Sequence, residues 1–90
     1  MAADARMDRI VERVRAIPHG FVRTYGDIDP AAPRLVGRVL ATTRLDMPWY
    51  RVVRADGTCP KGARQRKLLL AEGIPFRGDR VDLTRARLPQ

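Results

Sequence analysis

The sequence predicts a single α+β domain that is mainly helical, and two observations carry that prediction. Its 90 residues are enough for one small domain with one modest core. Apolar residues recur at helical spacing in three segments, near 4–17, 33–43 and 63–72, and shorter runs rich in β-branched residues separate them. With 44% hydrophobic residues, the composition is that of an ordinary folded protein.

The segment 4–17 is expected to form an amphipathic helix. Its charged residues occupy one face, and the apolar residues that follow helical spacing on the other are Met7, Ile10, Val11, Val14 and Ile17. Asp4 is a candidate cap for its start, and Pro18 and Gly20 favour its end. One face of this helix should therefore pack in the core, while the other faces solvent.

A helix-turn-helix pattern follows this first helix. Thr24, with Asp27 three residues later, resembles a capping box and predicts the start of a short helix. Pro33 then favours the start of a longer helix that runs to about Thr43. Its outer face is expected to be small and basic, with Arg34, Gly37, Arg38, Ala41 and Thr42. Small residues permit close approach to DNA and arginine supplies charge, so this face is typical of a DNA-contacting helix.

The remaining segments predict two extended pieces and a hairpin. Residues 21–23 should be a short extended segment, and 49–54, rich in aromatic and β-branched residues, should be a strand. Residues 74–83 contain a Gly-Asp turn and are expected to form a small hairpin.

A third helix is predicted over 63–72. Its three consecutive leucines at 68–70 are expected to supply core, and Gly73 should end it. Residues 84–90 are interpreted as a loose basic tail.

The charge balance points to a polyanionic partner. The chain has 18 Lys and Arg against 10 Asp and Glu, a formal net charge of +8, and 16 of the 18 basic residues are arginines. Arginine binds phosphate and base edges in a fork geometry, so nucleic acid is the simplest partner. The alternative is a solvated basic surface without a specific ligand.

Several function classes are disfavoured by the composition. The single cysteine, Cys59, cannot form an intramolecular disulfide, which suits a reducing compartment. No apolar run approaches the roughly 20 residues that span a bilayer, and the start of the chain lacks the pattern of a signal peptide. A cytoplasmic protein without a membrane partner is therefore expected. No set of His, Cys and carboxylate residues has metal-ligand spacing, so no metal or cofactor is predicted.

Six short motifs occur in a specific order between residues 7 and 83. They are Ile17-Pro18-His19-Gly20, Thr24-Tyr25-Gly26-Asp27-Ile28, Arg34-Leu35-Val36-Gly37-Arg38, Pro48-Trp49-Tyr50-Arg51-Val52-Val53-Arg54, Asp56-Gly57 and Leu70-Ala71-Glu72-Gly73. Together they resemble the DNA-binding domain of O6-alkylguanine-DNA alkyltransferases. The resemblance implies a winged helix-turn-helix DNA-binding domain over 1–83, a basic tail over 84–90, and no amino-terminal alkyltransferase domain.

The main departure from that family lies at Trp49. The transferases carry Pro-Cys-His-Arg-Val where this chain has Pro-Trp-Tyr-Arg-Val at 48–52, and their cysteine accepts the alkyl group. Alkyl transfer requires a thiolate, and an indole offers no comparable nucleophile. Tryptophan at this position is similar to the alkyltransferase-like branch. That branch implies a non-enzymatic sensor that flips O6-alkylguanine out of duplex DNA and marks it for nucleotide excision repair.

Three smaller departures accompany it. Tyr50 replaces the family histidine, the asparagine hinge near Thr43 is absent, and the segment 29–33 shortens the first helix of the motif. Glu72 matches the acidic residue of the family's hydrogen-bond network.

The resemblance also implies roles for individual residues. The lesion pocket would be formed by Trp49, Tyr50, Arg51 and Val52. In nucleotide flipping, Tyr25 would rotate the 3′ phosphate, and Arg34 would fill the vacated stack, for which its planar guanidinium is suited. The further DNA-binding candidates are Thr24, Ala32, Leu35, Gly37, Arg38, Ala41, Arg54, Lys61 and Arg64. The plainer interpretation of Trp49 is that it fills core, and that of Arg34 is a phosphate contact.

Two other functions stay open at the level of sequence. A winged-helix regulator would read an unmodified sequence, and a methyltransferase could use Cys59, which has only Lys61 nearby to lower its pKa. The expected partners are double-stranded DNA containing O6-alkylguanine and nucleotide excision repair proteins, with the protein itself a monomer.

Overall fold

The computed structural model describes residues 2–42 and 46–89, with side chains from residue 5 onward. Five helices, one 3-10 turn and four short strands follow one another in these ranges. They are α1 (Ala2–Arg15), β1 (Arg23–Thr24), α2 (Tyr25–Ile28), α3 (Pro33–Thr42), the 3-10 turn (Trp49–Arg51), β2 (Val52–Val53), α4 (Gly62–Ala71), β3 (Phe76–Arg77), β4 (Arg80–Val81) and α5 (Leu83–Ala86). The predicted α+β, mainly helical class is confirmed. Within the described ranges, no helix has the length and apolar content needed to cross a membrane.

The first core lies between α1 and the helix-turn-helix. The α1 residues Ile10, Val11 and Val14 pack in one cluster with Val36 and Val39 of α3. The predicted amphipathic pattern of this helix is therefore confirmed from Ile10 onward.

The predicted beginning of α1 needs correction. Asp4 lies inside the helix rather than at its cap, because the helix begins at Ala2. Met7 is 37% exposed, since the core cluster starts at Ile10 and the first turns of α1 extend past it.

The start of α2 has the predicted capping box. The Asp27 amide donates to Thr24 Oγ1 at 3.2 Å, and the Thr24 amide donates to Asp27 Oδ2 at 3.1 Å. This reciprocal pair satisfies two backbone donors that the helix start leaves open. The predicted start of α3 at Pro33 is confirmed. Its predicted end at Thr43, and the missing hinge residue there, lie outside the described residues.

The segment 49–54 was predicted as one strand, and the structure corrects this. Residues 49–51 form a 3-10 turn, in which the Arg51 amide donates to the Pro48 carbonyl at 3.0 Å. Only β2 is extended, and it pairs in parallel with β1, so that Thr24 lies opposite Val53. Contacts with α4 override the strand preference of the aromatic residues, as tertiary packing commonly does.

A second core lies beneath α4 and the hairpin. Its buried residues are Val22, Val53, Leu69, Ile74, Val81 and Ala86. The prediction that Leu70 supplies core is wrong, because Leu70 is 50% exposed. Successive helical residues differ by about 100° in direction, so a helix packed on one side cannot bury three in a row. The predicted hairpin is confirmed as the antiparallel pair of β3 and β4.

The loose tail predicted for 84–90 is wrong for residues 84–89. Ala86 of α5 is buried in the second core. The Val22 amide donates to the Ala86 carbonyl at 3.0 Å, and the Leu88 amide donates to the Val22 carbonyl at 2.8 Å. Arg87 donates to Asp27 at 2.9 Å. These contacts bind the carboxyl-terminal segment to the chain entering the helix-turn-helix.

Gly57 is expected to tolerate no side chain. Its φ is +87°, and an added Cβ would lie 2.6 Å from the Val81 carbonyl oxygen in the hairpin. Gly57→Ala should lower the free energy of unfolding by about 2–3 kcal/mol, from left-handed strain and this overlap. Urea unfolding measures the loss. Gly78→Ala is the control, because its φ is +59° but the space around it is open; equal losses in both variants would contradict the role given to the overlap.

Candidate nucleic-acid interface

A cavity of about 430 Å³ opens between α3, the 3-10 turn and α4. Its volume lies in the range of about 300–1,000 Å³ that is typical of small-molecule sites. Its lining combines two aromatic rings, two cations, two apolar side chains and one amide, from Tyr25, Trp49, Lys61, Arg64, Leu40, Ala41 and Gln65. Five of these seven residues are among those predicted from the sequence, namely Tyr25, Ala41, Trp49, Lys61 and Arg64.

Trp49 forms an aromatic wall of this cavity. The side chain is half-buried, and its ring meets that of Tyr50 edge-on, with centroids 5.8 Å apart and planes at 88°. The Arg64 guanidinium carbon lies 5.6 Å from the centre of the Trp49 ring, within the range of a cation–π contact. The indole and the Arg64 guanidinium therefore contact each other and line the same cavity, which gives this wall an aromatic and a cationic group side by side.

Tyr25 and the α3 residues Leu40 and Ala41 line the same cavity. Tyr25 is the first residue of α2, and burial of its ring raises the pKa of its hydroxyl. A Cβ added at Gly37 would lie 3.8 Å from Tyr25 Cε1, so the helix-turn-helix brings these two residues together. Arg34 and Arg38, one helical turn apart on α3, are both exposed. The outer face of α3 thus has the small and basic character that its sequence predicts.

Three residues predicted for the lesion pocket lie behind it instead. Val52 is fully buried in the first core. The Tyr50 hydroxyl donates to Glu72 Oε2 at 2.8 Å, and Arg51 Nη2 donates to the same oxygen at 2.7 Å. Arg51 Nη1 also donates to the Ile17 carbonyl at 2.9 Å. None of the three is in the lining of the cavity described here, and they fix the turn that carries Trp49.

Glu72 is the centre of this supporting network. It accepts hydrogen bonds from Tyr50, from Arg51 and from the Gly20 amide at 3.2 Å. Burial alone would raise the pKa of its carboxyl, but the hydrogen bonds from Arg51, Tyr50 and Gly20 outweigh burial, and the pKa is lowered. Burial, followed by the bond to Glu72, raises the pKa of Tyr50. At neutral pH the network therefore consists of an ionised carboxylate, a neutral phenol and a guanidinium.

The other predicted DNA-binding residues fall into two groups. Arg54 is exposed, as are Arg38 and Ala41 of α3, and Ala32 is half-exposed before that helix. Thr24 is buried as the cap of α2, and Leu35 packs against the first core. The inward position of this second group favours a structural role for their side chains.

Sequence reasoning missed Leu40 and Gln65 as cavity residues. Leu40 is an apolar residue of α3 that also packs against the first core. Gln65 lies between two arginines at the start of α4, yet it is almost fully buried. The sequence did contain a sign that Gln65 is buried, because it is four residues before the buried Leu69 and so lies on the same face of α4.

Cys59 lies in a different hollow, lined by Thr58, Cys59, Gly62, Ala63, Arg66 and Asp79. Burial raises the pKa of its thiol, although Arg66 acts in the opposite direction. A raised pKa lowers the thiolate fraction at neutral pH, which is the reverse of what an acceptor cysteine requires. Within the described residues, no cluster of three or more His, Cys, Asp or Glu side chains could hold a metal ion.

Comparisons with known proteins all indicate one family. The model of the 6-O-methylguanine DNA methyltransferase DNA-binding domain matches residues 5–74. A DNA base-flipping protein of Escherichia coli is 43% identical over 98 residues, covering 93% of this chain and 74% of the relative. Alkyltransferase-like protein 1 of Schizosaccharomyces pombe is 28% identical over 103 residues, covering 100% and 95%.

The fold is shared with a solved DNA complex. The structure of S. pombe Atl1 with damaged DNA containing O6-carboxymethylguanine superimposes with a TM-score of 0.85 at 26% identity, covering 97% of each chain. The helix-turn-helix fold predicted from the motifs is thereby confirmed. The chain belongs to the family of 6-O-methylguanine DNA methyltransferase DNA-binding domains, among its alkyltransferase-like members.

Proposed function

We propose that this protein is a non-enzymatic sensor that binds O6-alkylguanine in duplex DNA by flipping the modified nucleotide into the cavity beside Trp49. The observation that carries the proposal is this cavity, which Trp49 lines. By the resemblance of residues 48–52 to Pro-Cys-His-Arg-Val, Trp49 corresponds to the family's acceptor cysteine. Trp49, Tyr25, Lys61 and Arg64 line it together. Relatives support the same function, since one is named a DNA base-flipping protein and another was solved with DNA containing O6-carboxymethylguanine.

Flipping must offset the loss of stacking and pairing, which amounts to a few kcal/mol and is smaller for a damaged base. Stacking of a base on an aromatic side chain contributes about 1–3 kcal/mol, and Trp49 offers such a surface. We assign to Arg34, which is exposed near the start of α3, the role of entering the vacated stack. Tyr25 lies at the cavity, where it can contact the rotated phosphate. These contacts together can hold an extruded base.

The absence of transfer chemistry follows from the residues at the site. An indole carries no atom that accepts an alkyl group as a thiolate does. Cys59, the chain's single cysteine, lines a separate hollow, and its burial disfavours the thiolate. The bound lesion would therefore leave the protein chemically unchanged.

A protein that binds a lesion without removing it needs a repair system to follow. We therefore extend the proposal to a role in marking the lesion for nucleotide excision repair proteins, with the sensor acting as a monomer on the chromosome in the cytoplasm. Its net charge of +8 favours association with DNA before the lesion is located.

The test is a titration of matched duplexes that differ only in one guanine or O6-methylguanine, followed by anisotropy of labelled DNA. The lesion duplex should bind at least about tenfold more tightly, equivalent to one good stacking contact. Repeating the titration with scrambled flanking sequence separates this sensor from a sequence-reading regulator. Equal affinity for the two duplexes, or affinity that follows the flanking sequence, would remove the proposal.

A further inference from the structure

We propose that Gln65 is a positioning residue that fixes Trp49 at the wall of the cavity and links it to the loop that ends at Lys61. This inference rests on the proposed function, because it explains how that site keeps its preference for a modified base. Gln65 is in α4, is 1% exposed and borders the cavity. Its buried amide therefore lies next to the bound base in the proposed complex.

The nitrogen and the oxygen of the Gln65 side-chain amide both form hydrogen bonds with backbone groups. Gln65 Nε2 donates to the Tyr50 carbonyl at 3.1 Å and to the Val52 carbonyl at 2.8 Å. Gln65 Oε1 accepts from the Lys61 amide at 3.1 Å. The two amide protons thus bond to the segment that carries Trp49, and the amide oxygen accepts a bond from the loop that carries Lys61.

The 3-10 turn that carries Trp49 needs hydrogen bonds from other parts of the chain. The turn has two backbone bonds of its own, from the Arg51 amide to the Pro48 carbonyl and from the Val52 amide to the Trp49 carbonyl. The carbonyls that follow need partners from elsewhere. Gln65 supplies partners for the carbonyls on either side of Arg51. The direction of the indole follows from the backbone of the turn, so the Gln65 bonds set where the aromatic wall stands.

The same side chain joins two parts of the DNA-contacting surface. The Lys61 side chain is exposed and borders the cavity, where it can meet a phosphate. The Lys61 backbone is tied through Gln65 to the Trp49 turn. Engagement of the loop by DNA therefore acts on the segment that contacts the lesion, through a single buried amide.

Gln65→Met tests the proposal, because methionine has a similar length and no polar hydrogen. The preference for O6-methylguanine over guanine duplex should fall about tenfold, while affinity for the unmodified duplex changes less than about twofold. A second measurement uses the DNA-free protein. Trp49 is the single tryptophan of the chain, and its fluorescence should become more accessible to acrylamide quenching in the variant.

Leu69→Ala is the matched control, since it removes buried volume from the same helix without touching the Gln65 bonds. It should lower the melting temperature yet keep both the lesion preference and the quenching of the wild type. Two results would overturn the proposal: unchanged preference and quenching in Gln65→Met, or an equal loss of preference in Leu69→Ala.

The two proposals can fail separately. Absence of lesion preference in the wild type would reject the sensor function, and quenching in the DNA-free variants would still decide whether Gln65 positions Trp49.

Discussion

Glu72→Gln is expected to lower the free energy of unfolding by about 3–5 kcal/mol, the usual cost of removing one partner of a buried ion pair. Arg51 and Glu72 are 14% and 7% exposed, and the pair is bidentate, with bonds of 3.0 and 2.7 Å. Glutamine keeps the shape but leaves the guanidinium without its counter-charge. Urea unfolding at neutral pH gives the loss directly.

Glu72 should also make the free energy of unfolding depend on pH, and the direction follows from its lowered pKa. The pKa of Glu72 is lower in the folded protein than in the unfolded chain. Between the two values the unfolded chain binds more protons, so stability rises with pH there. The Glu72 contribution is therefore complete above the ordinary carboxyl range and is lost as the pH falls through the lowered pKa. The wild type should lose stability more steeply in acid than Glu72→Gln.

Asp79→Asn is the control for both measurements. Its ion pair with Arg66 has a distance of 3.3 Å, but the Asp79 side chain is 95% exposed. Exposed pairs contribute at most about 1 kcal/mol, so this variant should stay close to the wild type. A loss in Glu72→Gln no greater than that in Asp79→Asn would show that the network does not hold the turn.

Features with local causes could be predicted from the sequence. The capping box of Thr24 and Asp27 involves residues three positions apart, and the hairpin needs only a turn between two short runs. Helical spacing predicted α1, α3 and α4, since a face buried along one helix repeats every three or four residues.

Features with distant causes could not be predicted in this way. The 3-10 turn at Trp49–Arg51 is bonded at Tyr50 to Gln65 and Glu72, which are 15 and 22 positions away. Residues 84–89 are ordered because Val22 bonds to Ala86 and Leu88, more than sixty positions further along the chain. The spacing of apolar residues carries no information about such pairings.

Distant contacts also explain why residues 49–52 do not all line the cavity. Residues 49–52 were assigned together to a lesion pocket on the basis of resemblance. The 3-10 turn instead directs Trp49 to the cavity, while Tyr50 and Arg51 reach Glu72 and Val52 enters the core. The motif therefore places one residue in the lining of the cavity and three outside it. This division implies that changes at Trp49 and at Glu72 should affect different measurements.

Trp49→Ala should remove most of the preference for the lesion and little of the affinity for unmodified DNA. Stacking on an aromatic side chain contributes about 1–3 kcal/mol per base, which corresponds to a loss of roughly fivefold to 150-fold. The cations at Lys61 and Arg64 remain, and phosphate contacts provide most of the sequence-independent affinity. Anisotropy of labelled guanine and O6-methylguanine duplexes separates the two effects.

Trp49→Phe is the matched variant, because it keeps an aromatic face at the same place while reducing its area. It should fall between the wild type and Trp49→Ala in lesion preference. Since Gln65 bonds to backbone carbonyls at Tyr50 and Val52, the turn should persist in both variants, and their unfolding should differ far less than that of Glu72→Gln. If Trp49→Ala keeps the wild-type preference for the lesion duplex, the base must rest on another surface of the cavity. Tyr25 is the other aromatic ring in its lining.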